Sequence, residues 1–159
     1  RVPWSPWFRV GYDRSSGDDD PGDGAHRTFF QVIPTPRIYA QFPFYNLMNG
    51  GDAFTQLLLR PHERVAVRLD YHWLRLTESR DLWYAGGGAT NDDVFGFSGT
   101  PSDGRHELAH VAEVGVNVTL ASRLTAYAFF AHAFGQGVVD ATYADADASY
   151  GYLELTFRY

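Results

Sequence analysis

No cysteine occurs in the 159 residues, so neither a disulfide framework nor a structural zinc-thiolate site is available. Long apolar runs are absent too. Nothing approaches the roughly 18 to 20 uninterrupted apolar residues of a transmembrane helix, which excludes helical membrane spans. The formal net charge is -6, and this lack of positive charge argues against a nucleic-acid partner. Signatures of catalysis are missing as well: no serine stands in a nucleophile elbow, and no glycine-rich phosphate loop follows a strand. The run Gly86 to Gly88 lies in a loop with no helix after it. An enzyme is therefore not expected. The chain opens on Arg1 with neither methionine nor apolar leader, as a mature, trimmed or partial chain would.

What the sequence does have is apolar content dispersed with a period of two. Hydrophobic residues make up 45% and aromatics 16%, yet the mean hydropathy is -0.29. In Val65 to Trp73, Val65, Val67, Leu69, Tyr71 and Trp73 alternate with Ala66, Arg68, Asp70 and His72. One face is apolar and the other polar, which is a strand pattern. Leu108, His110, Ala112, Val114, Val116, Val118 and Leu120 alternate in the same way with Ala109, Val111, Glu113, Gly115, Asn117 and Thr119. Further strands are predicted at Trp7 to Arg14, Asp52 to Arg60, Leu124 to Phe134 and over the last dozen residues, where Leu153, Leu155, Phe157 and Tyr159 share a face.

Short turns at Pro61 to Arg64 and Ala121 to Arg123 alternate with long loops at about 15–51, 77–106 and 135–147. Short turns on one side and long loops on the other are the plan of an outer-membrane barrel. Tyr71, Trp73, Phe157 and Tyr159 stand at strand ends, where aromatic girdles meet the headgroups. The expected fold is thus all-β: an antiparallel up-and-down transmembrane β-barrel, about six strands of it here, in one domain over residues 1–159. The competing fold is a soluble sandwich or lipocalin-like barrel with its apolar face inward, which leaves the one-sided long loops unexplained. Because about eight strands leave an interior that side chains fill, and a water-filled lumen needs roughly 16, the chain reads as the C-terminal third of a larger barrel.

Thr28 to Asn49, "TFFQVIPTPRIYAQFPFYNLMN", and the later "LRPHERVAVRLDYHWLRLTESRDLWYAGGGA" resemble the C-terminal part of the alginate export family of bacterial outer-membrane porins. "LTAYAFFAHAFGQGVV" and the terminal "YLELTFRY" are similar to that family's last hairpin. The resemblance implies a large single-chain barrel in the bacterial outer membrane, passing anionic polysaccharide through an arginine-lined pore. It also implies contact with outer-membrane lipid and lipopolysaccharide, and recognition of the C-terminal strand by the barrel assembly machinery. A non-transporting barrel with a structural or surface-binding role is the alternative.

By parity Arg9, Arg68 and Arg158 face the lumen together with Asp70, Glu113 and Glu154. A guanidinium fork matches a uronate carboxylate, or another small anionic solute, in two-point contact. Cross-strand salt bridging within the wall is the competing role for each. The segment from Thr28 to Asn49 is too apolar for a solvated loop and too rich in proline for a central strand. It either folds into the barrel mouth, with Arg37 and Tyr39 near the substrate path, or packs on its neighbours as a lid or brace, which is the favoured reading. The loop Asp18 to Asp23 allows a divalent cation, but Phe30 stands where a calcium loop would close with glutamate, so a solvated acidic loop is preferred. No other cofactor is expected. His106 and His110 share a face but stand about 13 Å apart, too far to share one metal ion.

Overall fold

The computed structural model describes residues 3–32, 45–84 and 97–159. Six strands form one antiparallel sheet: β1 (Trp7–Arg14), β2 (Gly50–His62), β3 (Val65–Leu76), β6 (Glu107–Ala121), β7 (Leu124–Gly135) and β8 (Ala148–Phe157). They lie in the order β1-β2-β3-β6-β7-β8, so every strand neighbours the next long strand in sequence. The six predicted strands are all present. Most run a few residues longer than the alternation alone marked, and β2 continues through Pro61 to His62.

Two small elements lie inside loops that carried no sequence signal for them. A ribbon of β4 (Leu82–Tyr84) and β5 (Gly99–Pro101) pairs on its own. A short helix, α1 (Gly137–Thr142), occupies the loop between β7 and β8.

The register sorts side chains onto two faces. Arg9 opposes Gln56, Gln56 opposes Asp70, Asp70 opposes Glu113, Glu113 opposes Ala131 and Ala131 opposes Tyr150. This row runs across the whole sheet on one face. The parallel row on the other face is Phe8, Leu57, Leu69, Val114, Phe130 and Gly151. The first face is the covered one. Near the long-loop end it carries the main cluster of buried apolar side chains, in which Leu74, Leu76, Val111, Phe129 and Ala133 meet Val138 and Val139 of α1. The second face is open and apolar: Leu69 is 40% exposed, Leu155 73% and Leu153 85%.

Alternation misplaced one residue. It put Leu108 on the open face with His110, whereas Leu108 is buried in the core. The register shifts between Leu74 and Arg75, which pair with Ala109 and Glu107, so Leu108 is the extra residue of a bulge and turns inward.

Close approaches on the covered face depend on glycine. A Cβ on Gly115 would stand 2.3 Å from the Tyr127 hydroxyl, and one on Gly11 would stand 2.4 Å from the Phe54 ring. Each ring lies over the bare backbone of the next strand.

Candidate functional site

The middle of the covered face holds the charge. Arg68 donates from Nε to Asp70 Oδ2, a contact between residues two apart on one strand and therefore side by side. Glu113 stands directly across from Asp70 on β6 and is also buried. His72, the next residue inward on β3, is 2% exposed and its Nδ1 lies 2.7 Å from Asp52 Oδ2 on β2. Three neighbouring strands thus bring Asp52, Arg68, Asp70, His72 and Glu113 into one polar centre. Burial makes each of these contacts matter, because an unpaired charge away from water is costly.

Of the residues expected to line a pore, the structure brings Arg68, Asp70 and Glu113 together. Arg9 lies further along the same face, its guanidinium carbon 4.8 Å from the centre of the Phe54 ring and 6.0 Å from that of Trp7. Glu154 shares the face on β8 but is exposed and accepts from Thr156 Oγ1 at 3.2 Å. Arg158 lies just past the end of β8, its backbone N–H donating to the Arg123 carbonyl at 2.9 Å. It sits at the short-turn rim, apart from the charged centre. Arg37 and Tyr39 lie outside the described residues.

Asp52 and His72 belong to this centre although composition and motifs singled out neither. The signal that finds them is the hairpin register. Period two already set His72 beside Asp70, and closing β2 on β3 about the short turn brings Asp52 diagonally opposite.

At the long-loop end the acidic stretch is less solvated than its composition suggests. Asp18 is buried, its N–H donating to Asp81 Oδ2 at 2.8 Å. Asp81 also accepts from Thr28 Oγ1 and from the Tyr84 hydroxyl, each at 2.5 Å. Burial, and then that bond to Asp81, push the Tyr84 hydroxyl pKa up. Arg27 closes the acidic loop from within, 2.6 Å from Asp23 Oδ2, 3.6 Å from Asp18 and 3.7 Å from Asp19. The hydrogen bond to Arg27 holds the Asp23 carboxyl below its ordinary value. Three carboxylates of the acidic loop thus share one guanidinium. Thr28, Gln31, Met48 and Asn49 are buried, and Leu47 N–H donates to Gln31 Oε1 at 2.9 Å, so both described ends of the Thr28 to Asn49 segment pack on their neighbours.

The open face has its own polar fringe near the long loops. The Tyr71 hydroxyl meets His110 Nδ1 at 2.7 Å, and Trp73 Nε1 donates to Glu107 Oε2 at 2.7 Å. The His110 ring stacks on both aromatics. Amphipathic rings with satisfied polar edges form a band there, with purely apolar side chains below them. No helix among the described residues is long and apolar enough to cross a membrane, which leaves crossing by strands untouched.

No curated protein and no solved structure matches the chain significantly. A family model described as alginate export matches residues 1–149, nearly the whole chain, and the protein belongs to that family of outer-membrane polysaccharide exporters.

Proposed function

We propose that the six-stranded sheet is part of the wall of a transmembrane β-barrel through which an anionic polysaccharide, a polyuronate of the alginate type, or a smaller anionic solute crosses the bacterial outer membrane. The observation that carries this reading is the inversion of the two faces. A soluble sandwich buries its apolar face and exposes its charges. Here Leu69, Phe130, Leu153, Leu155 and Phe157 are exposed, whereas Asp52, Asp70, His72 and Glu113 are buried. That arrangement suits lipid outside and a polar lumen inside.

The edges of the sheet support a larger closed structure. Among the described residues β1 pairs with β2 alone and β8 with β7 alone, leaving one edge of each unpaired. Bare strand edges do not persist in hydrocarbon, so further strands of the same protein complete the ring in this reading. The terminal strand, with Phe157 and Tyr159 exposed at its end, is the element the barrel assembly machinery would bind, and its open face meets lipid and lipopolysaccharide.

Within the lumen Arg9 is the arginine presented to solute, held on the Trp7 and Phe54 rings. Arg68 has a mixed part, since Asp70 takes its Nε while its guanidinium remains partly exposed. A fixed guanidinium in a narrow aqueous passage attracts carboxylates, and the low-dielectric wall limits screening.

The test is electrical. In the full-length protein in planar bilayers, neutralising Arg9, Arg68 and Arg158 together is expected to shift selectivity toward cations and weaken block by oligouronates. Changing Arg123 in the short turn is expected to do neither. A triple variant with wild-type reversal potential and block would assign these arginines to salt bridges of the wall and remove the chemical basis for reading them as pore lining. A full-length protein that carries no current would favour the non-transporting, structural barrel.

A further inference from the structure

The polar centre contains more ligating atoms than its internal contacts use. Asp70, His72 and Glu113, all buried, each offer one ligand atom, and these lie within 4.8 Å of one another. Three buried atoms there have no hydrogen-bond partner: His72 Nε2, Asp70 Oδ1 and Asp52 Oδ1. The other ring nitrogen of His72, Nδ1, is engaged by Asp52, and the other oxygen of Asp70 by Arg68. Orphaned buried polar atoms are rare and call for an occupant.

We propose that Asp70, His72 and Glu113 form a binding site for a single divalent transition-metal cation of the zinc type, with Asp52 as the positioning residue that fixes the imidazole. Three features carry this. Imidazole nitrogen and carboxylate oxygen are both zinc ligands, and the imidazole disfavours magnesium and calcium, which take oxygen ligands. The Asp52–His72 contact is the carboxylate–histidine pair that directs the opposite ring nitrogen at a metal. The orphaned atoms point the same way: His72 Nε2 and Asp70 Oδ1 lack a hydrogen-bond partner, and one ion bound to both would satisfy them.

Bonds of about 2.0 to 2.2 Å at tetrahedral angles put ligand atoms about 3.4 Å apart, so binding draws the trio together by side-chain rotation. The ion would tie β3 to β6 directly and to β2 through Asp52, pinning three adjacent strands at mid-wall. The site is independent of what passes through the lumen.

Cobalt(II) replaces zinc in such sites and makes the ligand set visible by absorption. Full-length protein without a histidine tag, refolded in detergent micelles, is expected to take up one cobalt per chain with d–d bands that zinc then abolishes and calcium does not. His72→Gln and Asp70→Asn are expected to remove the bands, and Asp52→Asn to weaken uptake about 10- to 100-fold, as loss of an outer-sphere partner does. His110→Gln on the open face should leave them intact. Because the buried substitutions can impair folding, the wild-type chain supplies a second readout: zinc should raise its unfolding temperature and a chelator should reverse the rise. Absence of stoichiometric cobalt uptake by folded wild type, no zinc-dependent stabilisation, or bands unchanged in a folded His72→Gln variant would each overturn the proposal.

Discussion

Arg68 shows how a single side chain changes meaning between sequence and fold. Parity placed it on the polar face, but its pairing with buried Asp70 follows from their being two apart on one strand. Arg68→Leu strands a buried carboxylate oxygen, which costs about 1–3 kcal/mol for the lost partner. Adding Asp70→Asn should recover part of that loss, a non-additivity that a double-mutant cycle of bilayer folding free energies measures. Additive losses would show that the pair does not interact in the folded wall. Asp23 offers a second residue-level check, by titration. Its folded pKa lies below the ordinary 3.8, so its pairing with Arg27 is fully present above that value and fades as pH falls through the lower folded one. Carboxyl NMR should find Asp23 titrating below 3.8 in the native chain and moving up toward it in Arg27→Gln. The burial of Asp18 was not legible from composition: a run of aspartates reads as solvated, and its anchor Asp81 lies 63 positions away in the chain.

Among elements, the long strands were legible because each carries an uninterrupted alternation, as in Val65 to Trp73. The three-residue strands β4 and β5 and the six-residue α1 are too short for any period to register. Leu108 was misplaced because a bulge adds one residue without a compositional mark. The polar centre was half legible. Arg68, Asp70, His72 and Glu113 fell on one polar face by parity, whereas Asp52 and its contact with His72 required cross-strand register. β6 and β7 yield a prediction of their own, through the Tyr127 ring that lies over Gly115. Gly115→Ala should destabilise by about 1–3 kcal/mol through overpacking, and Tyr127→Leu in the same chain should relieve much of that cost. Equal destabilisation with and without the Tyr127 substitution, measured by urea unfolding in vesicles, would show that the ring has freedom to move aside.

For the whole molecule the decisive property is the exposed apolar face, which composition announced only as aromatic abundance without long hydrophobic runs. If that face meets hydrocarbon, Leu69→Arg near mid-bilayer should cost about 2–4 kcal/mol of folding free energy in bilayers. Full tolerance of the charge would place Leu69 in water. The absence of cysteine from these 159 residues favours a more direct measurement, since once any cysteine elsewhere in the full-length protein is replaced, each introduced thiol is the sole labelling site. Single cysteines at positions 66 to 73 of the full-length protein in lipid bilayers, each carrying a nitroxide, report oxygen accessibility from the lipid side and a water-soluble nickel complex from the aqueous side. The account predicts a period of two along β3, with oxygen maxima at 67, 69, 71 and 73 and minima at 66, 68, 70 and 72. Oxygen accessibility without alternation, or with its maxima at 68, 70 and 72, would contradict a wall whose apolar face meets lipid.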